Sequence, residues 1–312
     1  MNVLRPKKLS KGGVIGLISP ASAPVDSIRL EKSVNYLEKL GYKTVIGENV
    51  GKSNGYLAGS DDERLKDLHS MFQKKEVEAI FCLRGGYGSG RLLGRINYNL
   101  MKKNPKILVG YSDITALQMA IFAKINMVTF AGPMPTVDMW DEVSPFTEEI
   151  FWRMITSEKK IGKLANYQNE KLFTLVKGKA EGRILGGNLA VLNSLLGTEY
   201  FPNMKDKILL FEEVGEAPYR IDRLFNQLKL AKVLAKAKGI VIGQFVDCYA
   251  DGNKPTLNLN EVIGDYFKDL KAPVIYNFHH GHITNFITVP FGANVKIDTK
   301  KSVFEILENA VL

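Results

Sequence analysis

Ser112 stands between an apolar tetrapeptide, Ile107-Leu108-Val109-Gly110, and a helix-like run over 114–125. A serine on such a strand–turn–helix sits exposed at the tip of a sheet. The N–H of the next residue, Asp113, then lies at a helix N-terminus, where it can stabilise an oxyanion. The chemistry suggested is nucleophilic hydrolysis through an acyl-enzyme. The simpler alternative makes Ser112 a helix cap, its hydroxyl accepting the N–H near Thr115. Choosing between them requires a base and an acid to orient it.

The chain has four histidines. His69 falls within a helical run, away from strand ends, and reads as a surface residue. The others cluster as His279-His280-Gly281-His282, just after the apolar stretch 274–278. Strand ends are where catalytic loops sit, and the glycine beside His282 widens the backbone's options. The alternatives are a polar turn whose imidazoles cap backbone groups, or a metal site. The second lacks helical His-x-x-x-His spacing. Glu212-Glu213 follows Ile208-Leu209-Leu210-Phe211, so a carboxylate at a strand tip can orient a histidine. Strand alternation sends the two side chains to opposite faces, so only one can serve. Simple solvation of both is the competing reading. The order serine, acid, histidine matches one strand–turn–helix hydrolase class.

Arg84-Gly85-Gly86-Tyr87-Gly88-Ser89-Gly90 follows another apolar stretch, 79–83. It breaks the Gly-x-Gly-x-x-Gly pattern at Arg91 and has no Walker lysine, which weakens a nucleotide reading. Its backbone N–H groups can approach an anion. Gly85 or Gly86 is therefore a candidate second oxyanion donor beside Asp113. A tight turn requiring positive φ is the alternative.

The elements that must position these residues alternate in the first half. Strands are expected at 14–19, 43–46, 79–83, 107–110 and 128–131. Helices are expected at 28–40, from a capping box Ser60-Asp61-Asp62-Glu63 to about 75, from Arg91, and at 114–125. Near-continuous apolar strands alternating with helices mean a parallel sheet covered on both faces. Sites in such sheets lie beyond the carboxyl ends of the strands, where Ser112 and the glycine loop fall. Residues 1–157 thus form an α/β domain. The polar stretch 158–171 reads as a linker. Residues 172–312 read as an α+β domain with a mixed sheet, with strands at 207–211, 240–245, 274–278, 286–289, 295–298 and 303–306. Its helices are expected at 189–196, 218–230 and 259–267.

Length, at 312 residues, agrees with two domains. No apolar run approaches the roughly 20 residues that span a bilayer, and the N-terminus lacks a signal-peptide core. No membrane association is expected, and the expected compartment is the cytoplasm. Cys82 and Cys248 follow apolar stretches and read as buried thiols, with no Cys-x-x-Cys for zinc. The formal charge is +9, yet the lysines are interleaved with acids and no basic aromatic stripe appears. The excess reads as a solvated surface rather than a nucleic-acid site.

Together these stretches resemble the serine LD-carboxypeptidase family, the muramoyltetrapeptide carboxypeptidases. The carriers are Arg84-Gly85-Gly86-Tyr87-Gly88, Gly110-Tyr111-Ser112-Asp113-Ile114-Thr115, Gly186-Gly187-Asn188-Leu189, Phe211-Glu212-Glu213-Val214-Gly215-Glu216, Arg220-Ile221-Asp222-Arg223 and Gly281-His282. The similarity runs over about 14–292. It implies a flavodoxin-like, class I glutamine amidotransferase-like parallel-sheet domain followed by the mixed-sheet domain. It also implies Ser112 as nucleophile, Glu212 as acid and His282 as base, with no cofactor and no metal. Glu213 stands where the family usually has aspartate, which leaves open which glutamate faces His282. The implied substrate is murein tetrapeptide, cut between the L-centre of its diamino acid and D-alanine, and the implied assembly a homodimer. Arg84, Arg183, Arg220 and Arg223 are candidates for the substrate's free carboxylate. The same broad family includes microcin C immunity peptidases, which act on aminoacyl or peptidyl adenylate analogues; Trp140 and Trp152 are the candidate adenine surfaces for that alternative.

Overall fold

Five short segments of the first half build one sheet, its three central strands almost wholly buried and its edge strand Lys43–Ile46 half-exposed. They are β1 (Val14–Ile18), β2 (Lys43–Ile46), β3 (Val77–Cys82), β4 (Ile107–Val109) and β5 (Thr129–Ala131). A computed structural model describes residues 3–250 and 255–312 of this arrangement. Met1 and Asn2, at the start of the N-terminal stretch read above, lie outside the described residues. So do residues 251–254 of the second half. Strands β1 to β5 are mutually parallel in the order β5-β4-β3-β1-β2. Helices Ser27–Lys39, Asp61–Gln73 and Thr115–Ile125 connect and cover them. The second starts at the expected capping box, with Ser60 and Glu63 each satisfying the other's backbone N–H. The helix expected from Arg91 is a 3₁₀ stretch, Ser89–Arg95, followed by a short α-helix, Tyr98–Lys103.

The remaining strands are β6 (Gly162–Leu164), β7 (Phe173–Val176), β8 (Lys179–Asn188), β9 (Ile208–Val214), β10 (Gly239–Val246), β11 (Val274–Tyr276), β12 (Val289–Phe291), β13 (Asn294–Asp298) and β14 (Val303–Ile306). Eight form a mixed sheet in the order β6-β14-β13-β8-β9-β10-β11-β7, with β8 to β11 parallel at its centre.

Three departures from the sequence reading matter. The strand expected at 286–289 sits at Val289–Phe291 and leaves its own half to pair antiparallel with β5 of the first sheet. Pro290 is tolerated because β12 is an edge strand. The stretch 158–171, read as a linker, supplies β6, an edge strand paired with β14. Its polarity reflects that edge position, since only Leu164 of the strand is buried. The longest strand, β8, is absent from the sequence reading because glycines and charges interrupt its apolar pattern.

Those glycines are structural requirements. Gly186 has φ 139°, and a Cβ there would lie 1.9 Å from the Leu210 carbonyl oxygen of β9. We expect Gly186→Ala to cost at least about 3 kcal/mol of folding stability. It would be read as a lower urea midpoint at unchanged slope. A wild-type midpoint would contradict this packing.

Candidate active site

Strand β9 runs past Phe211, so Glu212 and Glu213 lie within it, near its carboxyl end, rather than beyond it. Both are buried, and strand alternation separates their tasks. Glu212 Oε2 lies 2.7 Å from His282 Nδ1. Glu213 turns the other way. It accepts from Asn188 Nδ2 and the Ala190 N–H at 2.8 Å each, and from its neighbour Val214 N–H at 2.9 Å. Burial, reinforced by the charge of Glu212, pushes the Glu213 carboxyl up to about 7 against those three bonds. Glu212 is therefore the glutamate that faces the histidine.

His282 reaches Glu212 because its loop lies on β10. Phe278 N–H donates to the Ile242 carbonyl and Gln244 N–H to the His280 carbonyl. With its Nδ1 proton on the carboxylate, His282 keeps a lone pair on Nε2, the tautomer that a base would require. Burial disfavours its protonation. The bond to Glu212 and the charges of Glu212, Glu213 and Asp138 outweigh that and raise its pKa above 6.5. The other histidines do backbone work. His279 Nδ1 accepts from the Tyr167 N–H, with Glu170 at its other nitrogen, and buried His280 donates from Nδ1 to the Ile287 carbonyl. His69 is half-buried rather than a surface residue, and its Nε2 accepts from the Asn97 N–H.

Ser112 does not cap a helix. Tyr111 holds the cap position with no side-chain bond, and Ser112 opens a one-turn 3₁₀ segment before the helix Thr115–Ile125. Its φ is 61°, in the left-handed region that a serine occupies only under constraint. A strained serine on a strand–helix turn is the geometry of an exposed nucleophile. The Tyr111 ring packs edge-on against His282, with centroids 5.0 Å apart, so His282 lies beside the serine's turn. Among the described residues no hydrogen bond joins Ser112 to His282. Such bonds commonly tighten only on substrate binding.

The glycine loop closes over this turn. A Cβ on Gly85 would lie 3.0 Å from Ser112 Oγ and 3.4 Å from Asp113 N, so only glycine leaves that space open. The Gly85 carbonyl accepts from the Ser22 N–H. In a trans peptide this turns the Gly86 N–H the opposite way. The Asp113 carboxylate accepts from the Ser89 N–H at 2.8 Å, and the Ser89 hydroxyl donates back to the Asp113 carbonyl at 2.6 Å. Loop and turn are thus locked together. Fully buried Arg64 adds bonds to the Pro20 and Gly88 carbonyls.

The arginine candidates separate. Arg183 lies away from the site, five residues before Asn188, the β8 partner of Glu212. At about 3.3 Å per strand residue that is roughly 16 Å. Its guanidinium is committed to the Gly292 carbonyl and Glu308. Arg220 and Arg223 are exposed on the helix Pro218–Leu230, Arg220 being bonded to Glu216 and both lying against Tyr219. Arg84 flanks Gly85 and donates to the Ala23 carbonyl at 3.3 Å. Among the described residues it has no carboxylate partner. Trp152 is packed on Tyr42 and bonded to Tyr36, and Arg29 lies over Trp140.

Three residues near the chemistry escaped the sequence reading. Thr115 Oγ1 accepts from the Asn188 N–H at 3.2 Å, tying β8 to the first turn after Ser112. Asp138 receives bonds from the Met134 N–H and the Tyr111 hydroxyl. Asn188 and Thr115 carried a signal only as members of Gly186-Gly187-Asn188-Leu189 and Gly110-Tyr111-Ser112-Asp113-Ile114-Thr115, and Asp138 carried none. Among the described residues no cluster of three or more His, Cys, Asp or Glu is arranged to hold a metal ion.

Two outcomes follow from this geometry. Gly85→Ala should abolish turnover while leaving the melting temperature within a few degrees, because the added methyl fills the space over Ser112. In the wild type the acid limb of kcat/KM should lie above pH 6.5, since the base must be neutral and Glu212 raises its pKa. Glu212→Gln should move that limb to lower pH and reduce kcat by on the order of 10⁴. An unmoved limb would assign it to another group.

The LD-carboxypeptidase N-terminal domain matches residues 15–132 and the LD-carboxypeptidase C-terminal domain residues 181–297. A probable murein peptide carboxypeptidase of Bacillus subtilis is 41% identical over 298 residues, covering 95% of this chain and 92% of the relative. A solved structure of MccF, a microcin C7 self-immunity protein, in complex with glutamyl sulfamoyl guanosine superposes with a TM-score of 0.91 at 28% identity, covering 99% of this chain and 100% of that one. Muramoyltetrapeptide carboxypeptidase from Oxalobacter formigenes gives 0.81 at 27% identity, with 94% and 97% covered. With both domains matched in order and a relative at this identity, the chain belongs to the LD-carboxypeptidase family of peptidases.

Proposed function

We propose that the chain is a serine LD-carboxypeptidase that releases the terminal D-alanine of murein tetrapeptide. The observation that carries this reading is the 2.7 Å bond between buried Glu212 and His282, set beside a left-handed Ser112. The names of its relatives supply the substrate class.

In this reading His282 Nε2 takes the Ser112 proton as Oγ attacks the carbonyl of the diamino acid. The Asp113 N–H and the Gly86 or Gly85 N–H hold the tetrahedral oxyanion. The imidazolium, stabilised by Glu212, then gives its proton to the departing D-alanine nitrogen. Water, deprotonated by His282, hydrolyses the ester and frees Ser112. Arg84 is the arginine we assign to the substrate's terminal carboxylate, because it adjoins Gly85 and its charge is unpaired. A cytoplasmic location and a homodimeric state belong to the same proposal, and sedimentation of the purified protein tests the second.

The MccF structure favours a second reading, cleavage of aminoacyl or peptidyl adenylate analogues. Trp152 is spent on packing, and an adenine on Trp140 would have to share its ring with Arg29 and Lys32. The deciding experiment is D-alanine release from purified murein tetrapeptide. Wild type should release it, and Ser112→Ala should lose at least about 10⁴-fold while remaining folded. Normal turnover by the variant would overturn the serine mechanism. Turnover of an adenylate analogue without D-alanine release would establish the second reading.

A further inference from the structure

His282 forms one wall of a cavity of about 320 Å³ whose other walls include Tyr111, Asp138, Glu142, Ser144 and Thr147. Two of these residues carry carboxylates, and among the described residues no lysine or arginine lines the space. Asp138 sits closest to the chemistry. Its Oδ2 accepts from the Met134 N–H at 2.8 Å and its Oδ1 from the Tyr111 hydroxyl at 3.3 Å, while the Tyr111 ring touches His282. One bond per oxygen leaves acceptor capacity open toward the cavity, since an ionised carboxylate offers about four lone-pair sites.

Capping the short helix Pro135–Asp138 explains the bond to Met134, but a neutral asparagine would serve there as well. A retained negative charge in a partly desolvated wall is costly, and the nearby His282 offsets only part of that cost. Burial accordingly pushes the Asp138 carboxyl up to about 6. Ser144 and Thr147 are already engaged, with Asn285 and with Thr284 and Phe286 respectively. The open hydrogen-bonding capacity of the cavity is therefore acidic, and beside a proposed base it suits a positive group on the substrate.

We propose that this cavity is the subsite for the side chain of the residue whose carbonyl is attacked, with Asp138 as counter-ion to that side chain's terminal ammonium. The assignment rests on the carboxypeptidase reading above and deepens it. In a stem peptide cut before its last D-alanine, the diamino acid supplies the attacked carbonyl, so its side chain must lie beside Ser112 and His282. The peptide's only other ammonium, at its N-terminus, is three residues away from the scissile bond. Glu142 at the mouth adds longer-range attraction. Asp138 is thereby a specificity-determining residue, distinct from the three groups assigned to bond cleavage.

The test compares tetrapeptides carrying lysine, meso-diaminopimelate or norleucine before the terminal D-alanine, with wild type and Asp138→Asn. A charge-assisted bond in a partly desolvated site corresponds to roughly a 10- to 100-fold preference. Wild type should prefer lysine over norleucine by at least about tenfold in kcat/KM. In Asp138→Asn that ratio should collapse towards one with the melting temperature retained, while the acid limb moves to lower pH because one of the charges that raise the His282 pKa is gone. Wild-type indifference to norleucine would overturn the subsite. So would an equal loss on all three substrates, which would make Asp138 a support for Tyr111 and His282 alone. No D-alanine release from any of them by wild type would instead overturn the carboxypeptidase reading, and the subsite with it.

Discussion

A carboxylate only 1% exposed persists in a protein interior when something positive or hydrogen-bonding meets it, and for Glu212 that partner is His282. Its second oxygen, Oε1, has no protein partner among the described residues, so the orientation of the carboxylate rests on the imidazole. The chain around residue 280 must therefore return to the middle of the mixed sheet and then leave again. It returns through the backbone bonds from β10 to Phe278 and His280. It leaves through Ile287, whose N–H donates to the His279 carbonyl, and enters the first sheet as β12 beside β5. His282 thus lies on the segment that stitches the two sheets together. Strand β5 neighbours β4, and β4 ends at the Ser112 turn. The position of Ser112 relative to His282 is fixed by hydrogen-bonded strands on both sides rather than by a flexible linker.

Sequence patterns revealed the parts of this arrangement that are governed locally. Continuous apolar runs gave the parallel strands, the Ser60 box gave its helix, and the Ser112 turn, the paired glutamates and His282 stood out by type and position. Resolving Glu212 from Glu213 needed only strand alternation plus the direction of the fold. What stayed hidden was non-local. Strand β8 is specified by where its glycines approach β9, which no periodicity reports. Strand β12 crosses between sheets, and the polarity of 158–171 marks an edge strand that looks like a linker. Arg183 had the right chemistry but lies several residues back along its strand, and distance along a strand can be judged only once register is known. Asp138 had no motif at all; its meaning comes from Tyr111 and the cavity.

The two glutamates of β9 show how one strand serves both sides of the site. Glu212 holds the base. Glu213, on the opposite face, is raised toward neutrality by burial yet kept in place by Asn188, Ala190 and Val214. Those partners lie at the end of β8 and the start of the helix Leu189–Ser194. The Asn188 N–H in turn donates to Thr115 Oγ1, in the first helical turn after Ser112. A continuous path of hydrogen bonds therefore runs from Glu213 to the helix that follows Ser112. Shortening the Glu213 side chain would break it without touching His282. The left-handed conformation of Ser112 needs such over-determination, since an isolated chain would relax it. The glycine loop, tied through Ser89 to Asp113 and through Gly88 to Arg64, constrains the same turn from the other direction. The strain at the serine is thus balanced between backbone of both sheets, and loosening either anchor would free the turn to relax away from His282.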